Sequence, residues 1–335
     1  MEIDMKNYAK AELHLHLDGS LNIRWAYEKS LQRDVIDKDM SFEEFYNLLY
    51  AKNIAHSPES FKKFEIVCNV LQHREDLFEA TYNLVRDLSE KGIIYAEIRF
   101  ASQQHTRYLS QLEALQAVVD GAAKAMDDHK SIKVGIINAL MHKGDSAAFN
   151  HEANLETIYA TKALLGKGAV GLDLAGFENN CDFKEYSYLF KMAEDMGIPY
   201  TIHAGEMGIA EHVADALDMH PRRIGHGIDC VKDEKVLQRV LDSHIPLEIC
   251  VSSNCKLERN YAAHPIRFLI EKGANVTINT DNMIFARSDL LHEYDILSMI
   301  GVSEDQLRQC TINAINAGFM DDDTRSRMLE EIARI

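Results

Sequence analysis

Several signals that would place this chain of 335 residues in a specialised class are missing. Its six cysteines include no CxxC pair, and nothing marks a short disulfide scaffold. The opening residues MEIDMKNYAK carry neither a positive start nor an apolar core. No apolar run approaches the roughly 18 uncharged residues that a membrane helix needs. We therefore expect a reduced, cytoplasmic protein that is neither exported nor membrane-spanning.

Positive charge is also scarce, because 36 Lys and Arg residues face 53 Asp and Glu residues, for a net charge of −17. Such a chain would repel the phosphates of nucleic acids and the head groups of anionic membranes. We expect neither as a partner. The expected ligand is a small molecule, neutral or cationic. Nothing in the composition bears on the oligomeric state.

Short runs rich in Val and Ile alternate with longer segments of helical periodicity. Eight runs predict strands at residues 11–18, 93–100, 133–140, 169–176, 198–205, 223–229, 245–250 and 275–281. Strands that alternate with helices pair in parallel through right-handed crossovers, so eight such units predict an α/β fold of the closed (β/α)8 type. An open doubly wound sheet is the alternative, but no GxGxxG follows the first run.

The sequence marks no domain boundary, since it contains only five prolines and no Gly/Ser-rich linker. We predict one domain over residues 1–335. Some seventy residues separate the first two predicted strands, and roughly residues 22–90 should form a helical insertion in which Ser41 and Ser57 precede helix starts. Helices there would lie over the barrel mouth and act as a lid; an outer packing layer is the alternative.

The stretch HLHLD places two histidines two residues apart in an apolar run. His14 and His16 would point to the same side of the first strand, toward the barrel axis if the flanking leucines face the helices. Taken alone, the pair is as consistent with two structural histidines as with metal binding.

Three other predicted strands also end in histidine or acidic residues, in the motifs HAGE, IGHG and NTDN. The carboxyl ends of all eight strands meet on one face of a (β/α)8 barrel, so these groups should converge with HLHLD. Three imidazoles and one carboxylate could then bind a divalent ion, with one water as a fifth ligand. Zinc suits such a set, and cobalt, nickel and iron are compatible. The predicted ligands are His14, His16, His203 and Asp281.

These motifs resemble the adenosine deaminase family of the amidohydrolase superfamily over nearly the whole chain. The resemblance is carried, in order, by HLHLDGSL, GLDLAG, TIHAGE, RIGHGID, LEICVSSN, HPIRFL and TINTDN. It implies a metal-dependent aminohydrolase, and the ligands it implies are the four expected from strand geometry.

The resemblance also implies the reaction and its residues. A metal-activated hydroxide would attack C6 of the purine, with His226 orienting it or taking its proton and Glu206, in its acid form, protonating N1. Adenosine would become inosine and ammonia, with 2′-deoxyadenosine as a second expected substrate. The implied substrate contacts are Asp18 to a ribose hydroxyl, the Gly176 backbone to purine N3, and Asn282 to purine N7.

Two positions depart from the best-known pattern of the family. Animal enzymes have Asp-Asp where this chain has Asp281-Asn282. Purine N7 is an acceptor and an asparagine amide has two donor hydrogens, so the change is compatible with purine binding and marks a bacterial branch. The stretch CVSSN lacks the usual proline, and we interpret Cys250 and Cys255 as packing residues.

The same motifs are compatible with other functions. The same site could act on adenine or on a modified adenosine such as aminodeoxyfutalosine, since the ligands do not distinguish these substrates. A bridged pair of metals is disfavoured because AVGLDLAG contains no lysine. A non-catalytic nucleoside-binding or signalling barrel is the alternative from another class. The remaining histidines, such as His56, His129 and His220, are interpreted as surface residues, and His105 is expected near the mouth.

Overall fold

The computed structural model describes residues 9–50, 58–178, 182–255 and 259–333. Each of the eight predicted runs overlaps a strand. The strands are β1 Lys10–His16, β2 Ile93–Phe100, β3 Lys133–His142, β4 Ala169–Gly176, β5 Thr201–Ala204, β6 Arg223–His226, β7 Leu247–Ile249 and β8 Val276–Ile278. Strand β1 begins one residue before its run, β3 ends two residues after its run, and β5 to β8 are shorter than predicted.

The strands form two parallel sheets of four, ordered β1-β2-β3-β4 and β5-β6-β7-β8. At one seam, the Leu172 amide donates to the carbonyl oxygen of Pro199 at 2.9 Å. At the other, the His16 amide donates to the Asp281 oxygen and the Asp281 amide to the His14 oxygen, both at 2.9 Å. The two sheets therefore close into one (β/α)8 barrel, which confirms the predicted fold class.

Helices surround the barrel, and none within the described residues is long and apolar enough to cross a membrane. They are α1 Ile23–Gln32, α2 Phe42–Leu49, α3 Pro58–Val70, α4 Arg74–Glu90, α5 Gln111–Asp128, α6 His151–Leu164, α7 Ser187–Asp195, α8 Ala210–Asp218, α9 Glu234–Ser243, α10 Val251–Cys255, α11 Ile266–Glu271, α12 Met283–Ala286, α13 Leu290–Met299, α14 Glu304–Ala317 and α15 Asp322–Ala333.

Four helices, α1 to α4, occupy the segment between β1 and β2 where the sequence predicts a helical insertion. Helix α2 begins as predicted, because the Ser41 hydroxyl accepts from the Glu44 amide and the Glu44 carboxylate accepts from the Ser41 amide. Helix α3 begins at Pro58, and the predicted cap Ser57 lies outside the described residues. The lid function of the insertion stays a prediction.

The barrel interior contains an ion network contributed by β2, β4, β6 and β7. The Arg99 guanidinium lies 3.0 Å from Asp173 and 2.8 Å from Glu248. Arg223 contacts Glu248 at 2.6 Å and Glu97 at 2.5 Å. All five side chains are fully buried. Charges are buried in this way only when they are paired, and this pairing links strands on opposite sides of the barrel.

Candidate metal centre and active site

The four predicted metal ligands converge at the carboxyl end of the barrel. Each offers one donor atom, and these atoms lie within 4.8 Å of one another. His16 Nε2 lies 3.2 Å from Asp281 Oδ1 and 3.2 Å from His203 Nε2. We call this group the metal set; it consists of His14, His16, His203 and Asp281.

One buried atom shows that the metal set fits a cation. His14 Nδ1 lies 2.9 Å from Glu248 Oε2, which fixes the ring. His14 Nε2 is buried without a hydrogen-bond partner, and it faces Asp281 Oδ1 at 3.7 Å. A ring nitrogen held by a carboxylate, with the other nitrogen directed toward further potential ligands, is the usual arrangement of a metal-binding histidine.

Two carboxylates outside the metal set orient its histidines. Asp173 Oδ2 lies 2.8 Å from His203 Nδ1, just as Glu248 lies against His14. Arg99 bridges both carboxylates, so one guanidinium connects the supports of two ligands. Sequence reasoning missed these three residues. The sequence feature that could have identified them is the presence of charged residues inside the apolar runs IIYAEIRF, GLDLAG and LEIC.

The electrostatics keep the supporting carboxylates ionised. Burial alone would raise the pKa of Glu248, but Arg99 and Arg223 outweigh burial and hold it well below its usual range. Burial alone would lower the pKa of His203, but the charge of Asp173 outweighs burial and raises it. The two ionised carboxylates are therefore available to hold the rings of His14 and His203.

Two functional positions have unusual backbone conformations. His226 has φ of 61° and Asp281 has φ of 65°, in the left-handed region that residues other than glycine seldom adopt. His226 is the last residue of β6, and Asp281 is the third residue after the end of β8. Such conformations cluster at sites where the fold holds a side chain in a required direction.

The predicted catalytic pair lies beside the metal set. His226 Nε2 is 3.5 Å from Glu206 Oε2, and the His226 ring centre is 4.7 Å from that of His14. Burial lowers the pKa of His226 to about 3, so its imidazole is neutral at pH 7. The Asn254 amide, 3.1 Å from His226 Nδ1, orients the ring. Sequence reasoning did not identify Asn254, although it lies in the motif LEICVSSN.

A cavity of about 540 Å³ opens beside His16 of the metal set, and two further residues with predicted roles, Asp18 and Gly176, also border it. Asp18 is 4% exposed. Gly176 has φ of 121°, and a Cβ atom there would lie 2.8 Å from the His142 oxygen, so only glycine fits. The backbone of Gly176 is therefore open to a ligand in the cavity, while the residue also makes the turn after β4.

Asn282 lies against the metal set, with its Nδ2 donating to Asp281 Oδ1 at 2.6 Å. Gly19 makes room for it, because a Cβ atom at position 19 would lie 1.8 Å from Asn282 Oδ1. Sequence reasoning did not assign a role to Gly19, whose signal was its place in HLHLDGSL.

The interpretation of the remaining histidines as surface residues is wrong for three of them: His105, His142 and His264 are buried. Neutral imidazoles tolerate burial, and burial lowers the pKa of His142 to about 3 and of His264 to about 4. His142 also lines the cavity. His220 is exposed as expected, and His56 lies outside the described residues.

Cys250 and Cys255 lie outside the metal set. The Cys250 side chain is fully buried, and its thiol is 3.6 Å from the Glu248 carbonyl oxygen. Burial raises the pKa of the Cys255 thiol to about 12, so it stays protonated at neutral pH. Both observations agree with their interpretation as packing residues.

Imidazoles and a carboxylate gathered by separate strands at the carboxyl mouth of a (β/α)8 barrel define a metal-dependent hydrolase. Residues 9–335 match the model of the adenosine deaminase family, and the chain belongs to that family. It is a metal-dependent aminohydrolase, as the sequence motifs predict.

Individual relatives give the same result. The chain is 33% identical to an adenosine deaminase of Haemophilus ducreyi, over 99% of this chain and 98% of the relative. Among solved structures, an adenine deaminase from Arthrobacter aurescens is 25% identical, with a TM-score of 0.85 over 97% of this chain and 98% of that one. An N6-mAMP deaminase from arabidopsis shares the fold at 21% identity, with a TM-score of 0.84 over 99% of both chains.

Proposed function

We propose that this protein hydrolyses adenosine to inosine and ammonia, acts likewise on 2′-deoxyadenosine, and uses one zinc ion. The observation that carries the proposal is that the Glu206–His226 pair lies against the metal set, whose member His16 borders a cavity of about 540 Å³. Membership in the adenosine deaminase family supports the choice of reaction.

Zinc is proposed from the chemistry of the ligands in the metal set. Three imidazoles and one carboxylate are borderline ligands, which zinc accepts readily, whereas magnesium and calcium prefer oxygen ligands alone. The metal set would hold the ion, which would lower the pKa of a bound water from about 15.7 toward 7 and so supply hydroxide at neutral pH.

The two catalytic residues divide the proton transfers. His226 is neutral at pH 7 and lies beside the metal set, so its ring can orient the attacking water or take its proton. The Glu206 carboxyl is 7% exposed, and in its acid form it gives a proton to N1 of the purine. Protonation of N1 spares the ring a full negative charge as C6 is attacked, and help of this kind contributes about 10²–10⁴-fold.

The cavity favours a nucleoside over a free base. Asp18 borders it and can accept a hydrogen bond from a ribose hydroxyl, a contact that adenine does not offer. Gly176 and Asn282 are the proposed contacts for purine N3 and N7. Phe64 and Glu65 of helix α3 also line the cavity, so α1 to α4 are proposed as a lid within a single domain.

A substrate panel tests the proposal. The zinc-loaded enzyme is assayed for ammonia release from adenosine, 2′-deoxyadenosine, adenine and modified adenosines. We expect the highest kcat/KM with the first two substrates. Failure to deaminate any aminopurine would contradict the proposal, and turnover of adenine alone would support the second candidate, adenine deamination. That candidate is favoured by the likeness to the adenine deaminase from Arthrobacter aurescens.

Two variants test the assigned residues in the same assay. Glu206→Gln should lose nearly all activity and retain its zinc, whereas Glu211→Gln, an exposed control on helix α8, should be fully active. Asn282→Ala should lose kcat/KM with its metal content unchanged. Full activity in either Glu206→Gln or Asn282→Ala would remove the role assigned to that residue.

A further inference from the structure

The segment that carries Glu206 is a tight loop of residues 205–208, which we call the acid loop. Gly205 has φ of 76°, and a Cβ atom there would lie 2.3 Å from Val213 Cγ2. The loop follows the short strand β5, so the direction of the Glu206 side chain depends on how the backbone beyond the strand is held.

One buried carboxylate holds the start of the acid loop. Glu178 is 2% exposed; its Oε1 accepts the Gly205 amide at 2.6 Å and its Oε2 accepts the Glu206 amide at 3.2 Å. Hydrogen bonds to an ionised acceptor are about twice as strong as neutral ones, and two together fix a direction as well as a distance. Glu178 thus fixes the backbone of Glu206 itself.

A histidine on helix α8 holds this carboxylate in turn. His212 Nδ1 lies 2.7 Å from Glu178 Oε1, and the His212 ring stacks on Phe183 with centres 4.8 Å apart. Burial alone would lower the pKa of His212, but the nearby carboxylate outweighs burial and raises it, which favours the cation. A buried carboxylate and an imidazolium compensate each other's charge.

The far end of the acid loop is held from the opposite side. Asp229 Oδ2 accepts the Gly208 amide at 2.6 Å, and the Asp229 amide donates to the Gly205 oxygen at 2.9 Å. Lys232 lies 2.7 Å from the same carboxylate. Glu178, which follows β4, and Asp229, which follows β6, therefore hold the acid loop from two sides.

We infer that Glu178, supported by His212, is a positioning residue that sets the direction in which Glu206 presents its proton to the substrate. The inference rests on the proposed role of Glu206. Glu178 acts through the backbone of the acid loop. Its loss should therefore impair the chemical step more than the binding of substrate, because a displaced acid leaves the contacts of base and sugar in place.

The test compares Glu178→Gln with the parent in the zinc-loaded state. Glutamine has the same shape but only one acceptor oxygen, so one of the two loop amides loses its partner. We expect kcat to fall about 10–100-fold, KM to stay within about threefold and the zinc content to be unchanged. Glu152→Gln serves as the control, because the Glu152 side chain on helix α6 is 94% exposed, and it should behave as the parent does.

A second variant tests the inference independently in case Glu178→Gln fails to fold. His212→Phe keeps a ring against Phe183 and removes the donor to Glu178, and kcat should fall about 3–10-fold with KM nearly constant. The inference is wrong if kcat is unchanged in both variants, or if KM rises in proportion to the loss of kcat/KM.

A double variant separates this inference from the proposed function. Glu178→Gln should cost nothing further in a Glu206→Gln background, because the residue it positions is already disabled. If Glu206→Gln is as fast as the parent, the proposed acid role fails. If Glu206→Gln is inactive while Glu178→Gln and His212→Phe are fast, only the positioning role fails.

Discussion

Arg99 links two buried carboxylates in the interior of the barrel, and each of these carboxylates contacts a histidine of the metal set. Its contacts to Asp173 and Glu248 are 3.0 and 2.8 Å, and all three side chains are fully buried. The carboxylates contact His203 and His14, so Arg99 influences the metal set indirectly, through these two carboxylates.

Replacing Arg99 by methionine should therefore affect both stability and metal binding. It leaves two buried carboxylates without their shared cation, and loss of one partner from a buried pair costs about 3–5 kcal/mol in the free energy of unfolding. Urea unfolding of the apo protein measures that cost, and zinc affinity, measured by competition with a chelator, should fall about 10–100-fold.

Arg239→Met is the matched control for that substitution, because its partner Asp218 lies 2.6 Å away on the surface. Exposed pairs of this kind contribute about 0–1 kcal/mol. Equal losses in the two variants would show that the interior network has no special role.

Gly19 controls the place of Asn282 and gives a second prediction. Gly19→Ala puts a methyl group 1.8 Å from Asn282 Oδ1, so the amide must move away from Asp281. We expect kcat/KM to fall about tenfold or more with zinc retained, since displacement of one substrate contact costs about 1–3 kcal/mol. In an Asn282→Gly background all three of the nearest atoms, Oδ1, Cγ and Cβ of Asn282, are gone, and the same change should cost little. Equal costs in both backgrounds would contradict the assigned clash.

At the scale of elements, the apolar runs predicted all eight strands because each strand is buried on both faces. Their lengths were overestimated for β5 to β8, where functional side chains such as His226 and Asp281 leave the sheet in left-handed conformations. Periodicity carries no information on such conformations. The convergence of His14, His16, His203 and Asp281 was predictable because strand order fixes which strand ends meet. The contacts of Arg99 and Glu178 depend on side-chain directions that spacing does not specify.

The insertion of α1 to α4 is held together by a buried acid, which gives a prediction for this element. Asp76 in α4 is fully buried, 2.6 Å from the Arg33 guanidinium and 3.1 Å from Lys29 of α1. Asp76→Ala leaves these two partly buried cations without that partner and should reduce stability by about 1–3 kcal/mol.

Hydrogen exchange locates that loss. Amides of α1 should exchange faster in Asp76→Ala, while those of the barrel strands should keep their protection. Asp195→Ala removes an exposed carboxylate 2.7 Å from Lys191 and should leave exchange unchanged. Unaltered exchange of α1 in Asp76→Ala would show that the insertion is held by its apolar contacts alone.

For the whole molecule, buried carboxyl groups should limit stability on both sides of a pH optimum. Asp281 and Glu248 have pKa values held well below the usual range, against the effect of burial, by the imidazoles and guanidinium groups beside them. Their stabilisation is present above the pKa of the unfolded chain and is lost as the pH falls through the folded values. Two other carboxyl groups, Glu12 and Glu293, have the opposite dependence.

Burial raises the pKa of Glu12 to about 8 and that of Glu293 to about 7, from an ordinary value of 4.5. Folding favours their protonated forms, so their contribution is complete below about pH 4.5 and is lost as the pH rises through 7 to 8. Glu12 Oε1 accepts the Thr280 amide at 2.7 Å, whereas the buried Oε2 has no partner that would stabilise a charge.

Glu12→Gln removes one of these titrations and should flatten the alkaline side of the stability profile. Between pH 5.5 and 8 the parent should lose about 2–4 kcal/mol more free energy of unfolding than the variant, since each unit of pKa shift corresponds to about 1.4 kcal/mol. Urea unfolding at the two pH values, with zinc bound, measures the difference. The comparison is between slopes, because the glutamine amide has its own cost at both pH values. Parallel profiles would mean that Glu12 is already ionised in the folded protein, and the alkaline loss would then have to come from Glu293 alone.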